Sequence, residues 1–110
     1  MFRMLMMTIE TIPNQSYTVL GIARGSTVQC KNLGRDILAG FKNLVGGEMY
    51  DYTQLMNEAR EVATNRMVED AERLGADAII GVRYGSSEIT QGAAEVMAYG
   101  TAVKLQPASK

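Results

Sequence analysis

Apolar residues recur at helical spacing over the middle of the chain. Asp51, with Gln54 three residues later, resembles a capping box, and Gly75 is a typical helix stop. Between them runs one apolar stripe, formed by Leu55, Ala59, Val62, Ala63, Met67, Ala71 and Leu74. The other side carries mainly charged and amide residues, as a solvated face does. This pattern predicts one long amphipathic helix.

A shorter helical pattern comes before it. Asn32 is a suitable N-cap, and apolar residues follow three and four positions apart from Leu33 to Val45. Gly46 and Gly47 favour the positive φ values of a helix end. The sequence therefore predicts a second, short helix, with Glu48 in the loop that follows.

The chain before these helices is rich in β-branched and apolar residues, which is typical of strands. An extended segment is predicted from Met4 to Ile12, ending at Pro13, which cannot donate to a strand ladder. The next run, YTVLGIARGSTVQC, predicts a strand pair or one kinked strand that bulges or turns at Gly25 and continues to Cys30.

Two more β-rich runs, ADAIIGVRYGSSEI and GAAEVMAYGTAVKL, follow the long helix. The turn formers Ser86, Ser87, Gln91 and Gly92 lie between them and predict an antiparallel hairpin. The element order is then β-β-α-α-β-β, an α+β class, in one domain spanning residues 1–110. Residues 106–110 are expected to fray.

Length and composition set a limit on the core. The chain has 110 residues, of which 46% are hydrophobic and 21% charged, as in a single globular domain. A domain of this size buries only about 60 to 70% of the surface of its unfolded chain. Its core is therefore expected to be thin, and oligomerisation would add further burial.

The charge pattern excludes some partners. The net charge is −1 and the chain has no basic block, so we expect no nucleic-acid partner. No apolar stretch approaches the roughly 20 residues that span a bilayer, and the N terminus has too short an apolar segment for a signal peptide. We expect no membrane contact and a cytoplasmic location.

Cysteine and histidine counts restrict the chemistry further. With one Cys and no His, the chain cannot form an internal disulfide, a Ser-His-Asp triad or a Cys-His pair. An enzyme is therefore less favoured than a binding protein. The segment GRDILAGFKN also lacks the Gly-Lys-Ser/Thr ending of a phosphate loop.

Three kinds of side chain remain as candidates for chemistry. Methionine thioethers with Cys30 suit soft Cu(I), although Met56 and Met67 fall on or beside the helical stripe and fit a core as well. Asp36, Glu48 and Asp51 suit a hard cation or proton transfer, unless Asp36 forms an ion pair with Arg35 and Asp51 serves only as the helix cap. Glu48 has no evident structural task, and neither have Glu88 and Glu95.

Several motifs resemble one family across nearly the whole chain, from Met7 to Val103. They are TIETIP, GSTV, NLGRDI, FKNLVGGE, YTQLMNEAR, RMVEDAERLGADAIIGVRY and GAAEVMAYGTAV, in this order along the sequence. In these motifs the chain is similar to the YbjQ-like family, uncharacterised bacterial proteins catalogued as "putative heavy-metal-binding" domains.

The resemblance implies a dodecin-like subunit, in which strands curl around one long helix, and a ring-shaped homo-oligomer that is typically a pentamer. The ligand or interface positions that match the family are Arg35, Asp36, Gly46, Gly47, Glu48, Arg83 and Tyr99. The cofactor is unknown, and a metal ion is one candidate. With few ligands in one chain, a metal would need residues such as Cys30 or Glu48 repeated around a symmetry axis.

Three functions follow from these observations. The first is a homo-oligomer that binds a metal ion or small ligand between subunits. The second is a purely structural or partner-binding oligomer. The third is an enzyme that acts on a small anionic substrate through Glu48, Asp36 and Arg35.

Overall fold

The structure is a computed structural model, and it describes residues 4–30, 47–90 and 93–107. Its elements are β1 (Leu5–Met6), β2 (Tyr17–Cys30), α1 (Gly47–Arg73), β3 (Ala78–Thr90) and β4 (Ala93–Leu105). This confirms the α+β class, the long helix and the final pair of strands. The predicted short helix from Leu33 to Val45 lies outside the described residues.

The strands form one mixed sheet in the order β1-β3-β4-β2. β4 is central: it pairs antiparallel with β3 in a hairpin and with β2 over its whole length, from Tyr17 opposite Leu105 to Cys30 opposite Ala93. β1 adds a short parallel pairing to β3. α1 packs across β2 and β4 on one face of the sheet.

Small residues bring α1 close to the sheet. Ala59, Ala63, Met67 and Ala71 recur four apart and are fully buried, as the helical stripe predicts. They meet β2 at Gly25, where an added Cβ would overlap the backbone of Ala63 and Met67. The helix therefore lies on β2 at a distance that only glycine permits there.

The C terminus of α1 follows the prediction and its N terminus does not. Gly75 has a φ of 84°, and the bonds from Ala76 N–H to the Ala71 carbonyl (3.0 Å) and from Gly75 N–H to the Glu72 carbonyl (3.0 Å) form a Schellman motif. At the other end, Asp51 is not the cap. The helix begins earlier, at Gly47, because each residue added to an existing helix gains a backbone hydrogen bond, and together these bonds outweigh the capping preference of one side chain.

Two apolar clusters lie on opposite faces of the sheet. The larger one is under α1 and includes Met67, Ile79 and Val96. The smaller one is on the other face, where Ala78, Ile80 and Val103 are covered by partly buried residues of the N-terminal segment and the strand ends, Met7, Ile12, Tyr17 and Leu105. The residues between β1 and β2 thus cover the sheet near the end of β4.

Several strand predictions were wrong in detail. Only Leu5–Met6 of the expected Met4–Ile12 strand is a strand, although Met7 N–H donates to the Ile79 carbonyl (3.0 Å) and Gly81 N–H to the Ile9 carbonyl (2.7 Å). The irregularity in β2 lies between Val19 and Gly21 rather than at Gly25. Gly21 takes a φ of 144°, which a side chain would strain, so it is the residue that permits the bulge.

The ends of the final hairpin also differ from the prediction. Ser86 and Ser87 are not in the turn but pair with Val96 and Glu95 inside the ladder. Gln106 is not frayed: its N–H donates to the Ser16 carbonyl at 2.9 Å. The hydrogen bonds gained by extending the strand pairing stabilise the hairpin more than a turn at the two serines would.

Candidate functional site

The face of the sheet opposite α1, called the outer face below, carries the candidate site. Successive residues of a strand point to opposite faces. Ala23, Gly25 and Thr27 are buried on the helix side of β2. The alternate residues therefore point to the outer face, namely Ile22, Arg24, Ser26 and Val28.

Apolar side chains on the outer face of β2 are open to solvent. Val19, Ile22 and Val28 are 61%, 68% and 51% exposed. Tyr99, on the neighbouring strand, is 42% exposed. A row of exposed β-branched residues on an edge strand is unusual for a monomer and is typical of a contact surface.

Tyr99 lies between two arginines. In the register of the sheet it is opposite Arg24 of β2 and Arg83 of β3, and cross-strand partners share a face. The Arg83 guanidinium donates to the Thr8 carbonyl (3.1 Å) and to the Glu10 carboxylate (3.1 Å). Arg83 therefore holds the N-terminal segment on β3.

A shallow depression lies beside Tyr99 and is called the outer depression below. Gly85 forms its floor, since a Cβ there would meet no atom within 4 Å. Ser87, Glu95, Met97 and Tyr99 surround a volume of about 210 Å³. A carboxylate, a thioether, a hydroxyl and a phenol thus converge on one small surface.

These side chains do not form a metal site within one chain. Among the residues that the structure describes, no three His, Cys, Asp or Glu side chains lie close enough to share a metal ion. The outer depression offers one carboxylate, Glu95, and one sulfur, Met97. A cation would need further ligands from outside this group.

The sequence-predicted site residues are spread along the chain. Cys30 is the last residue of β2, opposite Ala93. Gly47 and Glu48 are not in a loop but in the first turn of α1. Arg35, Asp36 and Gly46 lie outside the described residues, so the ion pair and the anionic-substrate site predicted around them stay predictions.

Sequence reasoning missed the outer depression. Glu95 and Met97 lie two apart on β4 and so share a face, a signal that the sequence carries. What it does not carry is the register that sets Gly85 opposite Met97 and Ser87 opposite Glu95. The pairing of strands across the sheet creates the depression.

In the part of the chain that the structure describes, the helix is too polar to qualify as a membrane span.

Comparison with solved structures identifies the fold. A protein of unknown function from Pediococcus pentosaceus, assigned to the DUF74 family, superimposes with a TM-score of 0.66. The match covers 94% of this chain and 98% of the other at 20% sequence identity. At that identity the likeness extends to the fold alone.

Comparison of sequences identifies the family. A family model described as "putative heavy-metal-binding" matches residues 4–106. A UPF0145 protein of Clostridium perfringens is 57% identical over 106 residues, which cover 96% of this chain and 100% of the relative. Another from Thermus thermophilus is 54% identical over 105 residues, 94% of this chain and 92% of the relative. Since both matches span nearly the whole chain, it belongs to the YbjQ-like family, whose matching relatives bear the name UPF0145.

Proposed function

We propose that this protein is a cytoplasmic homo-oligomer whose subunits associate through the outer face and bind a metal ion or small ligand between them. The observation that carries the proposal is the exposed apolar row of Val19, Ile22 and Val28 on edge strand β2. Burying such residues stabilises an association by about 1.5 to 3 kcal/mol for each side chain fully covered.

The shape of one chain supports the same proposal. Its extents are 65 × 25 × 24 Å and its radius of gyration is 17.9 Å. A compact domain of this length has a radius of gyration near 13 Å. A long, thin subunit exposes more surface than its small core can stabilise alone, and association through the outer face reduces that surface.

The resemblance to the YbjQ-like family favours a ring, with a pentamer as the preferred size. Rotational symmetry repeats each side chain around an axis, so Glu95 and Met97 of the outer depression become several carboxylates and several thioethers. Cys30 and Glu48 are the other ligands that symmetry can multiply. The family description and the oxygen and sulfur atoms of the outer depression support an ion or small ligand at such positions.

Native mass spectrometry tests the assembly. We expect the intact protein to have the mass of a closed oligomer, and the double variant Ile22→Lys, Val28→Lys to be monomeric, because each lysine would have to be buried in the interface. Leu74→Lys is the matched control, since Leu74 is 41% exposed but lies at the end of α1. A monomeric wild type, or an oligomer that survives the double substitution, would refute the proposal.

Metal titration tests the ligand. The untagged protein is titrated with Cu(I), Zn(II) and Ni(II), and Glu95→Gln and Cys30→Ser are compared with the exposed helix variant Glu61→Gln. We expect tight binding below one ion per chain, as an axial site requires, and at least a tenfold loss in one of the first two variants. Absence of tight binding by an intact oligomer would favour the second function, a structural or partner-binding assembly.

A further inference from the structure

A groove runs between α1 and the edge of β2 that faces away from β4, and it is called the arginine groove below. It encloses about 590 Å³, and the charged groups that line it are Arg24, Arg66, Glu69 and Arg73. This volume is within the range of small-molecule sites. The groove adjoins the outer depression, which lies over β3 and β4, at Met97, a residue that lines both.

The periodicity of α1 places its charged residues along this edge. Arg66, Asp70 and Arg73 are four and three residues apart and so share one side of the helix. Arg66 Nη1 donates to the Ser26 carbonyl at 2.7 Å. Asp70 accepts from Arg24 N–H at 3.0 Å and from Arg73 Nη2 at 3.1 Å. These bonds cap the β2 edge and hold the Arg66 and Arg73 side chains in place.

Many donors in the groove remain available. A guanidinium has five N–H donors in a fixed plane. In the described part of the chain, Arg66 and Arg73 each use one donor in these bonds, and Arg24 uses only its backbone N–H. Both Asp70 oxygens already accept hydrogen bonds, so Asp70 orients the Arg73 guanidinium and the backbone of Arg24 rather than facing the groove.

The charges favour an anion. Three guanidinium groups oppose the carboxylates of Glu69 and Asp70, which leaves a net charge of +1 for these five groups. Arginine binds phosphate through paired N–H bonds and stays charged at any physiological pH. The same charges disfavour a metal cation at this position.

We propose that the arginine groove binds a small molecule that carries a phosphate group. Arg66 and Arg73, from α1, hold the phosphate oxygens together with Arg24, whose side chain leaves β2 on the outer face and lines the groove at the edge of the strand. Because the groove exceeds the volume of one phosphate, the rest of the molecule lies along β2 beside Glu69, whose carboxylate accepts a hydrogen bond from a ligand hydroxyl or amine. All these residues belong to one chain, so the site needs no residue from a neighbouring subunit.

Calorimetric titration of the full-length protein with inorganic pyrophosphate tests the site. We expect saturable binding that Arg24→Gln and Arg66→Gln each weaken about tenfold, the effect of losing one charge-assisted contact. Glu69→Gln should tighten pyrophosphate binding, because it removes the opposing charge. Arg60→Gln is the matched control: Arg60 is on the same helix but bonds to Asn57 (2.6 Å) away from the groove.

A second ligand distinguishes the possible sources of the phosphate. Tighter binding of adenosine monophosphate than of pyrophosphate would assign the groove to a nucleotide, and the reverse order would assign it to an inorganic or sugar phosphate. Absence of saturation at about 10 mM pyrophosphate, about 10⁴ times the concentration at which a micromolar site half-fills, would overturn the proposal. An equal loss in Arg60→Gln would overturn it too, since that result indicates general charge attraction.

Native mass spectrometry of Arg66→Gln separates this proposal from the proposed assembly. We expect this variant to keep the wild-type mass while losing pyrophosphate affinity, and Ile22→Lys, Val28→Lys to keep the affinity while losing the mass. If Arg66→Gln dissociates the oligomer and wild type binds no pyrophosphate, the groove holds a neighbouring subunit instead and the phosphate site is refuted. A circular-dichroism melt of each variant checks that it folds.

Discussion

Single residues decide how closely the elements of this fold approach. Gly25 and Gly85 are both strand glycines, yet an added Cβ at Gly25 would lie 2.6 Å from the Arg66 carbonyl carbon, whereas one at Gly85 would meet nothing within 4 Å. Asp70 also connects two elements, in this case through hydrogen bonds to its charged carboxylate. One carboxylate joins the backbone of β2 to the guanidinium of Arg73.

Gly25→Ala should destabilise the protein strongly. The new methyl group would meet the backbone of α1, which cannot rotate away as a side chain can, so the helix must shift off β2. We expect a loss of about 2 to 4 kcal/mol in the free energy of unfolding, at or above the usual cost of overpacking. Urea denaturation measures it. Gly85→Ala is the control and should be neutral within about 0.5 kcal/mol; equal effects would contradict the close contact.

Asp70→Asn should change the dependence of stability on pH. The hydrogen bond from Arg24 N–H, with the nearby Arg73 and Arg24 charges, lowers the pKa of Asp70 from its ordinary 3.8 despite the opposing effect of burial. A lowered pKa adds stability above the unfolded-state value, and this is lost as pH falls through the folded-state pKa.

The measurement for Asp70 is a series of urea melts from pH 6 downward. At pH 6 we expect the Asn variant to be less stable by about 1 kcal/mol, the scale of one charge-assisted hydrogen bond at a partly exposed site. Below the ordinary pKa of 3.8 the difference should shrink, because Asp70 of the unfolded chain takes up a proton there, and it is lost as pH falls through the lower pKa of folded Asp70. A difference that stays constant from pH 6 to pH 2 would rule out the ionised carboxylate as the cause.

At the scale of elements, side chains from distant parts of the sequence decide how segments dock. The N-terminal segment covers Ile80 and Val103 without forming a long strand of its own. Hydrogen bonds donated by the Met7 and Gly81 N–H groups fix its path. The Arg83 side chain also binds this segment. α1 docks differently, through its small residues.

Arg83→Gln should loosen the N-terminal segment more than Glu10→Gln does. Arg83 bonds both to Glu10 and to the Thr8 carbonyl. The Glu10 carboxylate is 79% exposed, so the ion pair by itself contributes at most about 1 kcal/mol. Hydrogen exchange at the Met7 and Gly81 amides measures the opening. Faster exchange in Glu10→Gln than in Arg83→Gln would show that the ion pair alone holds the segment.

At the scale of the whole molecule, the elements are long for so short a chain. β2 has 14 residues and α1 has 27, so each extends roughly 40 Å or more. The thin core expected from length alone is consistent with this shape, and among the described residues its largest fully buried side chains are Met67, Ile79 and Val103. The exposed row on β2 gives a second chain a surface to cover.

The melting temperature should therefore rise with protein concentration. A species that is stabilised by association unfolds at a temperature that depends on concentration, and a monomer does not. Over a hundredfold range we expect a rise of several degrees for wild type and none for Ile22→Lys, Val28→Lys. Calorimetric scans at the lowest and the highest concentration of this range measure the melting temperature. A wild-type midpoint that does not move would speak against the assembly.

The sequence by itself determined the class of the fold and the positions of its main elements. The four-residue recurrence of Ala59, Ala63, Met67 and Ala71 and the stop at Gly75 need only helix geometry to be recognised. The absence of His and the single Cys likewise limited the chemistry before any contact was known. Such properties are local, because they depend on residues that are close along the chain.

Only the tertiary structure decided the sites. Local rules predicted a turn at Ser86, but Ser86 pairs inside the strand ladder. They predicted a bulge at Gly25, which instead permits the contact with α1, and a loop at Glu48, which instead lies in the first turn of α1. The outer depression needs the register of β3 on β4, and the arginine groove needs Arg24 beside residues of α1 more than 40 positions away. Contacts between residues so distant in sequence depend on how the elements pack, which the pattern of a single segment does not encode.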